Sequence, residues 1–218
     1  MILYKDNEND TPTFTIHNAI SETFASGLIN EFKDKTQPAQ HESKGKMIEG
    51  KDLRDSTVSW FFNDELYARV YDFMQVANYH MGLRYKITGA EAFQFTKYNK
   101  DQHYSWHRDG NQDHFGARDF TFDTPKNLGQ TNMPGLVGTV RKISASLMLN
   151  DDFEGGGMEF MWLDEGEVKK RTVNLKPLDL IIFPSALEHR VVPVTKGTRY
   201  SVVIWYGGPP LTLSLIHI

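Results

Sequence analysis

From Leu83 onward the chain is built of short β-branched and aromatic runs separated by clusters of Gly, Pro, Asn and Asp. Strands are expected at 87–98, 104–107, 139–149, 158–162, 167–174, 180–183, 189–193 and 199–206. So many short strands at regular spacing, with turn signals between them, leave a β-sandwich or a β-barrel. No internal repeat or low-complexity segment competes with that reading.

The first 82 residues have a different texture. Residues 14–16 read as a short strand. Asn18 or Ser21 then caps a helix running to about Lys33, with Ile20, Phe24, Leu28 and Phe32 on one face. Residues 36–51 are polar, contain Pro38, Gly45 and Gly50, and read as loop. The run 53–62 is strand-like at its end. Asn63 or Asp64 caps a second helix with Leu66, Val70, Phe73, Ala77 and Met81 along one stripe, stopped by Gly82. The expected organisation is a single domain, with helices over 1–82, a β core over 83–208 and a tail over 209–218. The tail is apolar for a chain end, and reads as an edge strand, a cover for an apolar patch or an appended stretch.

Composition excludes several classes. At 218 residues, 39% hydrophobic and 12% aromatic, the chain can bury a real core. A net charge of −4 gives no electrostatic footprint for nucleic acid or an anionic membrane. With no cysteine, neither disulfides nor thiolate metal sites are available. No apolar run approaches the ~20 residues of a membrane span, and the start lacks a secretory pattern. The expectation is a cytoplasmic protein with no membrane and no nucleic-acid partner. Its oligomeric state is open.

Chemistry concentrates first in the stretch 98–110, YNKDQHYSWHRDG. His107 and Asp109 are two positions apart, and in extended backbone such side chains point the same way. An imidazole and a carboxylate on one face can take adjacent corners of a metal's coordination sphere. A second histidine from elsewhere would complete a two-His, one-carboxylate triad, an arrangement suited to non-heme Fe(II). Residues 110–138 follow as a long polar segment with Phe115, Phe120 and Phe122, read either as a lid or as a disordered insertion.

The second half of the site lies in 178–206. His189 opens a short β-branched run, the turn 195–198 follows, and Arg199 begins the last strand. By alternation Arg199, Ser201, Val203 and Trp205 share one face, and Tyr200, Val202, Ile204 and Tyr206 the other. An arginine on an inward face needs a carboxylate or several acceptors.

Taken together, these residues resemble the 2-oxoglutarate and Fe(II)-dependent dioxygenases of the prolyl 4-hydroxylase-like group. Residues 98–109 are similar to that group's tyrosine-containing lead-in to its HxD. Residues 143–160 look like its central strand, acidic turn and glycine segment. Pro184, His189 and Arg199 match its distal metal ligand and co-substrate arginine. Asp101 departs from the pattern, standing where many relatives carry glycine. Arg199 likewise replaces the lysine of many collagen-type hydroxylases.

The resemblance implies a double-stranded β-helix, or jelly roll, mainly β with the N-terminal helices packed on one sheet. It implies that His107, Asp109 and His189 hold Fe(II). It also implies that Arg199 and Ser201 meet the far carboxylate of 2-oxoglutarate, and that Tyr98 contacts the same co-substrate. O2 is the further co-substrate, and ascorbate a candidate addition.

The expected activity is hydroxylation of a peptidyl residue, proline before others, in a peptide or protein partner that could be proline-rich. The alternative within the class is a free amino acid or other small molecule. The alternative outside it is a non-enzymatic jelly-roll binding protein. The nucleic-acid demethylase branch is disfavoured, because its members commonly carry a second arginine six residues after the first, where this chain has Trp205.

Overall fold

A computed structural model of the chain describes residues 3–5, 12–43, 46–48, 50–110, 136 and 138–210. In chain order the elements begin with β1 (Leu3–Lys5), β2 (Phe14–Ile16), α1 (Glu22–Phe32), β3 (Gln37–Pro38), β4 (His41–Ser43) and β5 (Lys46–Ile48). Next come β6 (Arg54–Asp55), β7 (Thr57–Phe61), α2 (Asp64–His80), β8 (Gly89–Ala90), β9 (Phe93–Tyr98) and β10 (His103–His107). The rest are β11 (Val140–Met148), β12 (Phe153–Gly155), β13 (Met158–Asp164), β14 (Glu167–Val173), β15 (Leu180–Pro184), β16 (Glu188–Val191), β17 (Val194–Gly197) and β18 (Arg199–Gly208).

These strands form a jelly roll. The larger sheet runs β1-β2-β15-β11-β18-β9-β7-β3, with β8 added beside β18, and the smaller runs β14-β13-β16-β10-β6. Alternation along the strands builds two apolar layers. Phe93 and Phe95 of β9, Leu180 and Ile182 of β15, and Val202 and Ile204 of β18 point toward the helices and join one core cluster. Ile181 and Phe183 of β15 point the other way, and pack with Met158, Phe160 and Val191 of the smaller sheet. Burying each such side chain contributes about 1.5–3 kcal/mol.

The helices form where their signals stand. The Ser21 hydroxyl accepts from the Phe24 amide at 3.2 Å, and the Asn63 carbonyl oxygen from the Leu66 amide at 2.8 Å. The buried stripe of α2 is Leu66, Val70, Met74 and Ala77. It runs at i, i+4 through Met74, so Phe73 and Met81 are only partly buried at its margin.

The segment 36–51, expected as loop, holds strand pairs instead. Gln37 and Pro38 pair with Val58 and Thr57 at the sheet edge, where a proline is tolerated, and β4 pairs with β5. The turn expected at 195–198 is also partly strand. Residues Val194–Gly197 form β17, which pairs with β12.

The run 53–62 divides in a way that shapes the site. Arg54 and Asp55 pair with β10 in the smaller sheet, whereas 57–61 pair with β9 in the larger. The chain thus crosses between sheets at Ser56, whose hydroxyl accepts from Arg54 Nε at 2.8 Å.

Candidate active site

A cavity opens between the two sheets, and its lining includes Tyr98, His107, Asp109, His189, Arg199 and Ser201. Every residue singled out from the sequence as a ligand or co-substrate contact therefore reaches one place. The expected lid over 110–138 falls almost wholly outside the described residues.

β10 and β16 run antiparallel, with His107 and His189 as directly opposed Cα partners. Their ring centroids are 4.2 Å apart. Asp109 lies just past the end of β10. One of its carboxylate oxygens is 3.7 Å from His107 Nε2, and the other is 3.5 Å from His189 Nε2. One donor atom from each of the three falls within 4.8 Å of the others.

The imidazoles are oriented by the same device. His107 Nδ1 lies 2.8 Å from the Ser105 carbonyl and His189 Nδ1 2.9 Å from that of Leu187, in each case the residue two positions earlier. A carbonyl can only accept, so Nδ1 carries the proton and Nε2 presents its lone pair to the centre. Such an outer hydrogen bond is what a metal-binding histidine requires.

Burial and the neighbouring His189 push the His107 pKa down to about 3. Burial alone would raise Asp109, but the two imidazoles and Arg141 outweigh it and bring the carboxyl to about 2. At neutral pH the site is thus a neutral imidazole and a carboxylate, the forms that ligate. Asp109 Oδ2 is buried and has no hydrogen-bond partner. That orphaned oxygen, together with the two Nε2 lone pairs directed at the carboxylate, fits a divalent cation.

The opposite wall of the cavity is cationic. Arg199 is 1% exposed and its Nη1 donates to Ser201 Oγ at 2.8 Å. Its Nε and Nη2 are buried without acceptors. Burial pushes its pKa down, yet a guanidinium stays charged in a protein. Tyr98 is its Cα partner across β9 and β18, and the Tyr98 ring lies 5.4 Å from the guanidinium carbon. A buried fork with unmet donors fits the carboxylate of a diacid. Asp101, in the turn between β9 and β10, has φ +69, a conformation at which glycine is at ease.

Sequence reasoning did not single out Arg54, Gln94, Ser146, Met158 or Phe183, which also line the cavity. Their signal is weak: apart from Arg54 they are strand residues of ordinary type. Arg141 supports the site from behind. It forms a two-point pair with Glu91 at 2.5 Å, stacks 4.0 Å over Trp205 and donates to the Asp109 carbonyl at 3.4 Å. Trp106, by contrast, lies beneath Arg190 and Lys170, away from the cavity lining.

Comparison with known proteins points the same way. The model of the 2OG-Fe(II) oxygenase superfamily matches residues 93–207. Human prolyl 3-hydroxylase 2 is 42% identical over 84 residues, covering 37% of this chain and 11% of that protein. A PKHD-type hydroxylase of Teredinibacter turnerae is 37% identical over 75 residues, covering 34% of this chain and 31% of the relative. The matched stretch thus spans about a third or less of these relatives.

Among solved structures, a Pseudomonas putida prolyl-4-hydroxylase superposes with TM-score 0.60 at 19% identity, covering 93% of this chain and 96% of that one. A Trichoplax adhaerens prolyl hydroxylase, in complex with a hypoxia inducible factor oxygen degradation domain peptide fragment, gives 0.59 at 17% identity, covering 91% and 84%. At such identities the likeness carries the fold.

Proposed function

Because the chain belongs to the 2OG-Fe(II) oxygenase superfamily, we propose that it is a 2-oxoglutarate- and Fe(II)-dependent dioxygenase that hydroxylates a peptidyl residue, proline before others. The observation that carries this reading is the meeting of His107, Asp109 and His189 in a cavity whose far wall holds the unpaired Arg199 fork. Both partial sequence relatives named above and both structural neighbours are hydroxylases, and three of the four are prolyl hydroxylases. One neighbour was solved with a peptide bound, which supports a peptide substrate.

In this reading His107, Asp109 and His189 would hold a ferrous ion. Bound there with 2-oxoglutarate and O2, it supplies C–H hydroxylation coupled to decarboxylation of the co-substrate to succinate and CO2. The chain's own work is placement. Arg199 would donate to the far carboxylate in a charge-assisted pair, with Ser201 beside it and Tyr98 at the side. The fixed Nδ1 bonds keep both Nε2 atoms directed at the centre without rearrangement. Met158, Phe183, Val191 and Trp205 supply apolar surface to the cavity lining and limit water at the reacting carbon.

The test is incubation with Fe(II), 2-oxoglutarate, O2 and proline-rich peptides, followed by mass spectrometry and a succinate assay. Gain of one oxygen atom on proline is the expected result. Succinate without any oxidised peptide would remove the prolyl assignment and leave the oxygenase standing. Absence of both would remove both.

A further inference from the structure

Arg54 has no part in the mechanism above, yet it lines the same cavity and is 8% exposed. It reaches there from the edge of the smaller sheet. Its Nε donates to Ser56 Oγ and its Nη2 to Gln94 Oε1 at 2.7 Å, while its guanidinium carbon lies over the Tyr104 ring, 4.7 Å from the centroid. Tyr104 in turn stacks on His107 at 3.5 Å. Arg54 is therefore a fixed cation next to the metal ligands, and among the described residues no carboxylate pairs with it.

Counting charges in the cavity shows that Arg54 is surplus to the co-substrate. Asp109 is negative, Arg199 positive, and Arg141 with Glu91 is self-cancelling. A ferrous ion and a 2-oxoglutarate dianion cancel each other. Among the described residues, Asp109 and Arg199 then leave the loaded centre neutral, and Arg54 adds one positive charge for which they hold no counter-ion. A guanidinium held in place at such a lining, with only neutral acceptors around it, is positioned to receive an anion.

Position argues the same. Gln94, which holds the Arg54 head, is the Cα partner of Val203, whereas Tyr98 is the partner of Arg199. The two anchoring pairs are four residues apart, about 13 Å along the strands. Arg54 thus belongs to the Trp205 end of β18, where the buried Trp205 Nε1 donor also has no acceptor.

We propose that Arg54 receives a carboxylate of the substrate, so that the oxidised molecule is anionic beside its reacting carbon. The carboxylate comes either from the acidic side chain of a peptide or from a free amino acid. The inference rests on the oxygenase reading above and narrows its substrate class.

The test uses anaerobic protein loaded with Fe(II) and 2-oxoglutarate, with quenching of tryptophan emission as the binding signal. One probe pair is proline against prolinamide. The other is an end-blocked Glu-Pro-Glu peptide against its Gln-Pro-Gln twin. At least one carboxylate probe is expected to bind about tenfold or more tighter than its uncharged twin. The preference should vanish in Arg54→Gln, survive in part in Arg54→Lys, and the pair that responds identifies the source.

The 2-oxoglutarate charge-transfer band, read in the same samples, should stay within about twofold in affinity in Arg54→Gln. Absence of any carboxylate preference, including absence of binding, overturns the proposal. So does a preference that persists in Arg54→Gln, or a tenfold loss of 2-oxoglutarate affinity there, which would assign Arg54 to the co-substrate. A wild-type protein with no band at all sinks the oxygenase reading itself.

Discussion

His107 and His189 stand directly opposite one another across the antiparallel pair β10–β16, and each ring is fixed by the carbonyl two residues before it. The pairing register thus sets the separation of the two nitrogen donors, and a local backbone contact sets their direction. Asp109 closes the set, because it lies two positions after His107 at the strand's end.

Replacing either histidine should therefore abolish metal binding without unfolding the protein. Loss of an outer hydrogen bond costs metal sites roughly 10–100-fold in affinity, and loss of the ligand itself should exceed that. Calorimetric titration of Fe(II) or Mn(II) into His107→Ala and His189→Ala checks it, with circular dichroism as the fold control. Retained affinity would dissociate these residues from the metal.

Arg199→Met separates binding from stability. Truncating one partner of a buried, hydrogen-bonded charge pair costs on the order of 2–5 kcal/mol, so 2-oxoglutarate should bind at least about 30-fold more weakly. The ligand-free variant should nonetheless melt at a higher temperature than wild type. Its guanidinium is buried with two nitrogens unpartnered, and an apolar side chain of similar length removes that desolvation cost. Calorimetry in the presence and absence of 2-oxoglutarate should give opposite signs.

The parts legible in the sequence were those decided by local spacing. His107 with Asp109, and Arg199 with Ser201, Val203 and Trp205, share faces because strand side chains alternate, and the structure places these residues on one cavity. Arg54 was not legible. Its entry depends on the chain changing sheets at Ser56, a tertiary event without a local pattern. β17 was misread because Thr195, Lys196 and Gly197 have turn composition, and pairing with β12 overrides that preference. Met74 shows the limit of helical periodicity, since positions 73 and 74 both fit a 3.6-residue repeat and only packing chooses between them.

Acid should destabilise the metal-free protein through the site itself. His107 is depressed from 6.5 to about 3, so between those values the unfolded chain holds a proton that the folded one refuses. Stability therefore falls as pH drops from 6.5 toward 3, by at most about 1.4 kcal/mol per pH unit from this group. Asp109 adds to the same trend below 3.8, since it stays ionised in the fold down to about 2. Urea midpoints measured on metal-free protein from pH 7 to 4 should show a shallower slope in His107→Gln than in wild type. Equal slopes would remove His107 from the acid response.

Gly155 and Gly166 give a paired test of backbone against contact. Both have positive φ, at +76 and +84. A Cβ at Gly155 would clash with the Pro193 carbonyl oxygen, whereas one at Gly166 meets nothing within 4 Å. Gly166→Ala should cost about 1 kcal/mol from conformation alone, and Gly155→Ala clearly more, because β12 must shift off β17. Chemical denaturation of both variants measures the difference, and equal losses would mean that the contact is relieved without strain.

The pair of Arg141 and Glu91 should behave as one unit. Both carboxylate oxygens are engaged, both side chains are largely buried, and the guanidinium lies between Trp205 and the Asp109 carbonyl. Glu91→Gln leaves the Arg141 charge without its counter-ion, a loss of about 3–5 kcal/mol by analogy with other broken buried pairs. Arg141→Met strands Glu91 in the same way and also frees the Asp109 backbone, so it should weaken metal binding as well as folding. Combining Glu91→Met with Arg141→Met removes both charges at once. The double variant should be more stable than either single one, with a coupling of at least about 1 kcal/mol in a double-mutant cycle. It should still bind metal more weakly than Glu91→Met alone, since only Arg141 touches Asp109. Additive losses in stability would mean that the two side chains act independently, and unchanged metal affinity in Arg141→Met would mean that Asp109 is held in place without Arg141.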